Sequence, residues 1–221
     1  MVWTTRSPTT MTKIIVSLET EEAFKLAEKL TDYVDGFKIN HILWPRLKYR
    51  GFRKKEIFID FKLWDTPHTI TSILDRLLEQ HVTMTTICTY NSDSVFEALI
   101  PYHDQIKLLG VTYLTSWSPD DQYNITSQMP DKMWETALRR IKGFYGVVCA
   151  TTDIKDIDWH DYDGELKKVC PGIGSNTGQV RTSTPFHAKE LGADWIVLGR
   201  TITEAENPIT TIKEIKKGLN D

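Results

Sequence analysis

Glu56-Ile57-Phe58-Ile59-Asp60-Phe61-Lys62-Leu63-Trp64-Asp65 reads as a hydrophobic strand that ends in three charges within six residues. Alternate residues of a strand share a face. Phe58, Asp60 and Lys62 therefore point one way, and Ile57, Ile59, Phe61 and Leu63 the other. Phe58 lies beside the charges on the first face and the second face is wholly apolar, so the strand is expected to be buried on both sides. A carboxylate and an ammonium placed there are costly unless each is paired or used. A structural ion pair near a strand end would account for one isolated couple. Asp65 adds a third charge, and a helix opens straight afterwards with Thr66 as N-cap and Pro67 as first helical residue. Together they favour a site.

Outward from this stretch the chain alternates between strand and helix. Before it lie strands at Lys13–Leu18 and Val34–Ile39, a helix capped by Thr20 with Ala23, Phe24, Ala27 and Leu30 at helical spacing, and a helix expected over His41–Tyr49. After it, Ile70, Ile73, Leu74, Leu77 and Leu78 make one apolar helix face. Further strands are expected at Val82–Thr89, Ile106–Leu114, Gly146–Ala150, Lys168–Pro171 and Trp195–Leu198. Helices are expected at Ser94–Tyr102, Asp131–Ile141, Pro185–Leu191 and Ile209–Leu219, with long polar loops at Thr115–Gln128 and Gly174–Thr182. The stretch after the sixth strand has no clear pattern.

Eight short strands, nearly all separated by helices, in a chain of 221 residues fit a single-domain (β/α)8 TIM barrel of the α/β class. The barrel is expected over residues 13–221, behind a flexible arm at 1–12. A doubly wound open sheet is the alternative, weakened because no glycine-rich dinucleotide fingerprint follows the first strand.

Composition narrows the function. The chain is 40% hydrophobic and 26% charged with a net charge of −3, which is ordinary for a soluble globular protein and offers nothing to attract nucleic acid. No apolar stretch approaches a membrane span, and residues 1–12 lack the apolar core of a signal peptide, so a cytoplasmic protein is expected. Three widely spaced cysteines, Cys88, Cys149 and Cys170, read as buried thiols rather than a disulfide framework or zinc site. The six histidines form no metal-like cluster.

Barrel enzymes work at the carboxyl ends of their strands. Those ends supply Glu19, Lys38, the Asp60–Lys62–Asp65 set, Thr115 with Ser116, and Gly199 with Arg200; the loop after the seventh strand adds Gln179 and Arg181. Each has a plain alternative. Lys38 could be a surface lysine covering Phe37, Ser116 could simply open a loop, and Arg200 could sit in a rim salt bridge. Their shared position at one end of the barrel is the argument for a site, and phosphate sites after strands seven and eight recur in this fold.

Asp60-Phe61-Lys62-Leu63-Trp64-Asp65, followed by Thr66-Pro67-His68-Thr69, resembles the Asp-x-Lys-x-x-Asp mark of the orotidine 5′-monophosphate decarboxylase family. The same six residues also resemble the related 3-keto-L-gulonate 6-phosphate decarboxylase and hexulose-phosphate synthase. Val111-Thr112-Tyr113-Leu114-Thr115-Ser116-Trp117 is similar to the segment whose serine meets the pyrimidine. Cys170-Pro171-Gly172-Ile173 with Gln179, and Gly199-Arg200-Thr201, are similar to the phosphate-binding segments. These favour the nucleotide enzyme. The chain departs from the family where Glu19 replaces the aspartate that holds the ribose, where Thr66 and His68 replace isoleucine and asparagine, and where strand four lacks a His-Ala segment.

The resemblance implies decarboxylation of orotidine 5′-monophosphate to uridine 5′-monophosphate without metal or organic cofactor. It implies Lys62, Asp60, Asp65 and Lys38 as the catalytic charges, with Lys62 stabilising and protonating the C6 carbanion. Glu19, Thr66, Thr69, Ser116, Pro171, Gln179, Gly199 and Arg200 would bind the nucleotide. A homodimer follows, with Asp65 and Thr69 reaching the neighbouring subunit's site. The rivals are a metal-dependent sugar-phosphate enzyme of the same suprafamily and a non-catalytic nucleotide-phosphate binding barrel.

Overall fold

The structure, a computed structural model, describes residues 11–46, 55–161, 163–174 and 181–220. Residues 1–10 of the expected arm, residues 47–49 of the helix expected at His41–Tyr49, and Gln179 lie outside the described residues.

The elements run in this order: β1 (Lys13–Leu18), α1 (Glu21–Leu30), β2 (Gly36–Ile39), β3 (Glu56–Leu63), α2 (Pro67–Glu79), β4 (Met84–Cys88), α3 (Asp93–Leu99), β5 (Lys107–Val111), α4 (Pro119–Thr126), α5 (Pro130–Arg140), β6 (Gly146–Val148), α6 (Ile154–His160), β7 (Lys167–Cys170), α7 (Pro185–Glu190), β8 (Trp195–Leu198), α8 (Arg200–Thr203) and α9 (Pro208–Asn220). The eight strands pair in parallel, each with its sequence neighbour, and β8 closes onto β1. This is the (β/α)8 barrel expected from the alternation, with the open sheet excluded by closure.

Strand alternation divides two cores. Ile14, Val16, Leu18, Phe37, Ile57, Ile59 and Ile196 face outward and bury the apolar stripes of the helices. Ile15, Phe58, Met84, Leu109, Val169, Trp195 and Val197 fill the barrel interior. At the amino end Trp195 Nε1 donates to the Tyr145 hydroxyl at 3.1 Å, and Lys107 pairs with Glu56. One end of the barrel is thereby plugged with large side chains. The polar groups above this layer stand at the other end.

Three segments differ from the sequence reading. His41–Tyr49 holds a turn and a single 3-10 turn at Trp44–Arg46 in its described part, in keeping with the ring of Pro45. The loop expected at Thr115–Gln128 contains α4, started by a reciprocal cap: Ser118 Oγ accepts from Asp121 N, and Ser118 N donates to the Asp121 carboxylate. Tyr123 and Ile125 of this helix are exposed, so burial imposes no periodic apolar face on it. The unpatterned stretch after β6 holds a 3-10 turn at Thr151–Asp153 and α6. Only Ile154 and Ile157 of α6 are buried, too few to print a helical period on the sequence.

Candidate active site

The site begins with a fault in the sheet. Ile59 of β3 pairs with Thr85 of β4, so a regular ladder would set Phe61 opposite Ile87; instead Leu63 stands there. Two extra residues therefore bulge out of β3 between Ile59 and Leu63. Lys62, inside the bulge, has a φ of +52°, a left-handed conformation unusual for a residue with a Cβ. Such strain costs about 1–3 kcal/mol and persists only where surrounding structure holds it.

What holds it is β4. The bulge removes backbone partners, and buried backbone N–H and C=O groups must find others. Thr85 Oγ1 donates to the Ile59 carbonyl at 2.8 Å, and Thr86 Oγ1 accepts from Lys62 N at 2.8 Å. Asn91, just past β4, donates from Nδ2 to the Leu63 carbonyl at 2.8 Å and accepts from Asp65 N at 3.2 Å. Arg140 of α5 in turn donates to the carbonyls of Thr89 and Asn91. In the sequence these partners show only as threonines recurring through the strand expected at Val82–Thr89, a pattern that strand propensity accounts for by itself.

The bulge presents an array of three charges. Lys62 Nζ lies 2.9 Å and Lys38 Nζ 3.6 Å from Oδ2 of Asp60, while Thr86 Oγ1 donates to Oδ1 at 3.0 Å. Lys38 is only 16% exposed and faces the interior beside Ser17, its register partner on β1, so it is no surface lysine. Burial is the largest influence on the Asp60 carboxyl and pushes its pKa up. Lys38, Lys62 and the hydrogen bonds from Lys62 and Thr86 outweigh it, and the net shift is below the ordinary value of 3.8. Lys62, with a side chain 40% exposed, opens to the mouth of the barrel.

Asp65 stands apart. It is exposed, its carboxylate accepts the Thr66 backbone N–H at 2.6 Å, and it makes no ion pair with Lys62 or Lys38. Within one chain the array is Lys38–Asp60–Lys62. Thr66 occupies the N-cap of α2 without capping it; its hydroxyl meets that of Thr69 at 3.1 Å. Glu19 is exposed at the end of β1, where its carboxylate accepts from Ser17 Oγ at 3.3 Å and its carbonyl from Asn40 Nδ2.

Opposite the array, the ends of β5, β7 and β8 are joined. Gly174 N donates to the Ser183 carbonyl and Ser183 N to that of Gly172, closing the feet of the loop after Pro171. Gly174 has a φ of +103°, and a Cβ there would stand 2.2 Å from Thr201 Oγ1. Only glycine allows the Pro171–Gly174 segment so close to the Gly199–Thr201 segment. Arg200 is exposed at the start of α8, and Ser116 is exposed in the turn after β5.

Arg181 proves to be engaged elsewhere. Its guanidinium donates to both oxygens of Asp153 at 2.6 and 2.8 Å and to the Leu114 carbonyl at 3.3 Å, and it lies over the Tyr113 ring. Its backbone N donates to the Thr115 carbonyl. Arg181 therefore braces the turn that carries Ser116. Asp153 gave no signal in the sequence, because the two residues are 28 positions apart.

Two of the three cysteines match their reading as buried thiols. Cys149 and Cys170 are buried with their sulfurs 3.8 Å apart, and Cys88 is partly buried. Among the described residues no group of three or more His, Cys, Asp or Glu could hold a metal ion, and no helix is long and apolar enough to cross a membrane.

Comparison with known proteins identifies the family of the chain. The family described as "Orotidine 5'-phosphate decarboxylase / HUMPS family" matches residues 12–215. A Wolbachia pipientis protein named orotidine 5'-phosphate decarboxylase is 33% identical, covering 96% of this chain and 100% of its own length. One from Streptococcus sanguinis is 37% identical over 90% of each chain. The crystal structure of orotidine 5'-phosphate decarboxylase from Lactobacillus acidophilus superposes with a TM-score of 0.77 at 26% identity, covering 95% of this chain and all of that one. The chain belongs to the orotidine 5′-phosphate decarboxylase / HUMPS family.

Proposed function

We propose that the chain decarboxylates orotidine 5′-monophosphate to uridine 5′-monophosphate and carbon dioxide, a step of pyrimidine biosynthesis, with Lys62 as the reacting cation. The observation that carries this reading is the Lys38–Asp60–Lys62 array at the open end of the barrel. Losing carbon dioxide breaks the C6–carboxyl bond and leaves its electron pair on a vinyl carbon with no electron sink. An ammonium beside C6 stabilises that charge, then gives up an N–H proton to C6 and regains one from water. Asp60 anchors Lys62 and faces the substrate carboxylate, where like charge disfavours the ground state.

The surroundings divide the rest of the nucleotide. Ser116 meets the pyrimidine and Glu19 the ribose. Gln179, Gly199, Arg200 and the Pro171 segment hold the phosphate, and that remote binding energy acts on the reacting centre. The close approach of Gly174 to Thr201 supports a shared phosphate cradle between the last two strand ends. The protein acts as a homodimer in the cytoplasm, with Asp65 and Thr69 completing the neighbouring subunit's ribose site. The exposure of Asp65, next to a Trp64 that is 72% exposed, supports this assembly.

Both oxygens of Asp60 are already engaged, Oδ1 by Thr86 and Oδ2 by the lysines. That leaves Asp60 poorly placed as a metal ligand and favours the nucleotide enzyme over the metal-dependent sugar-phosphate branch. Ultraviolet absorbance of orotidine 5′-monophosphate, followed with and without EDTA, tests the reading. Loss of the substrate signal in EDTA is expected. Magnesium-dependent turnover of a keto-sugar phosphate instead, or no turnover of any substrate, would overturn it.

A further inference from the structure

Thr86 is fully buried on β4, in the polar layer directly above the interior core residue Met84. A buried threonine in a strand commonly satisfies its hydroxyl on a nearby backbone group and does nothing more. Thr85, the next residue, is of that kind: its hydroxyl bonds the Ile59 carbonyl. Thr86 differs in both of its partners. It accepts from the backbone N–H of Lys62 at 2.8 Å and donates its one proton to Oδ1 of Asp60 at 3.0 Å.

The two bonds meet at the left-handed residue of the β3 bulge. In the regular part of β3 the Ile57 N–H faces β4 and the Glu56 N–H faces the β2 side, so unbroken alternation would turn the Lys62 N–H away from β4. With the register shifted between Ile59 and Leu63, that N–H instead meets the Thr86 hydroxyl on β4, at the residue whose φ is +52°. Using its lone pair for Lys62 leaves the proton free for Asp60. The carboxylate is then turned so that Oδ2 faces both lysines.

We propose that Thr86 is a positioning residue for decarboxylation, its single hydroxyl fixing the Lys62 main chain and the Asp60 carboxylate in one arrangement. This rests on the decarboxylase reading above. Thr86 does not touch the substrate; it acts through Lys62 and Asp60. Its loss affects the chemical step, which depends on where Lys62 Nζ stands relative to C6, more than it affects nucleotide binding.

The test compares Thr86→Val, which keeps the shape and removes both bonds, with Thr86→Ser, which keeps the hydroxyl and removes the methyl. Thr85→Val serves as a control that removes a backbone bond of the same bulge. The readouts are kcat and KM for orotidine 5′-monophosphate, the Kd of uridine 5′-monophosphate, and the melting temperature. Thr86→Val is expected to lower kcat 10- to 100-fold with KM and Kd within about threefold of wild type. Thr86→Ser should stay within about threefold throughout, and Thr85→Val should lower the melting temperature with kcat nearly unchanged. A Thr86→Val enzyme with wild-type kcat would overturn the proposal. So would a parallel loss of kcat and nucleotide affinity, or a Thr86→Ser enzyme impaired tenfold; the serine result decides even if the valine variant fails to fold. A wild-type protein that leaves the substrate untouched would instead remove the decarboxylase reading, and this inference with it.

Discussion

Lys62 Nζ lies 2.9 Å from Oδ2 of Asp60, although the two residues sit in a segment where the sheet register breaks and Lys62 turns left-handed. The pair is partly buried and Asp60 faces a second ammonium, so the carboxylate stabilises the fold as well as the site. Its folded pKa is below the ordinary 3.8. That stabilisation is therefore present above the unfolded value and is lost as pH falls through the folded one. Asp60→Asn should lower the unfolding free energy at pH 7 by about 1–3 kcal/mol, less than for a fully buried pair because Lys62 is partly solvated. Urea unfolding from pH 7 down to pH 3 should show the gap between variant and wild type closing at the acid end. A constant gap would disprove the linkage.

Lys62→Ala removes both the cation and the proton donor. We expect kcat to fall by at least ~10⁴-fold, while uridine 5′-monophosphate still binds within about tenfold of wild type. Stopped-flow turnover and isothermal titration calorimetry separate the two. Substantial residual turnover would transfer the chemistry to another residue.

Arg181 and Asp153 are a different case, a largely buried pair in which Nη1 of Arg181 meets both carboxylate oxygens and which serves architecture. Burial, the largest influence on Asp153, carries its pKa up despite Arg181 and the Ala150 N–H. Arg181→Ala strands that carboxylate and should cost about 3–5 kcal/mol, whereas Arg181→Met combined with Asp153→Leu should recover most of it. Denaturant melts of the two single variants and the double variant form the cycle. Turnover should still fall in the stable double variant, because the Leu114 carbonyl would lose the guanidinium that braces the turn carrying Ser116.

Gly174→Ala would force a side chain into Thr201 at a backbone angle that residues with a Cβ rarely adopt. The expected result is a tenfold or greater loss of affinity for uridine 5′-monophosphate with little change for uridine, which lacks the phosphate. Equal losses for both ligands would mean that the loop does not serve the phosphate.

Asp65 tests the dimer. Lys62→Ala and Asp65→Ala proteins should each be weak alone. Mixed and allowed to exchange subunits, they should regain up to about a quarter of wild-type activity, because mixed dimers carry one intact site made from both chains. Absence of recovery after exchange is demonstrated by sedimentation would place Asp65 in its own chain's site.

The sequence alone was sufficient for the barrel. Hydrophobic alternation and helix caps are local, so β1 and β8 fall on Lys13–Leu18 and Trp195–Leu198 as read, and Thr20 caps α1 as expected. Lys38, Asp60 and Lys62 were also legible, because charge on a strand that is apolar on both faces is conspicuous wherever it occurs. The helices α4 and α6 were not, since they bury too little to carry a period. Tertiary structure alone decided the rest. The two-residue bulge in β3 is a relation between strands, and so are the bonds it forces on Thr86 and Asn91 and the Asp153–Arg181 brace across 28 residues. No window of sequence contains both partners. Tertiary structure also set Asp65, the third charge of that stretch, apart from the array and exposed at the chain's surface.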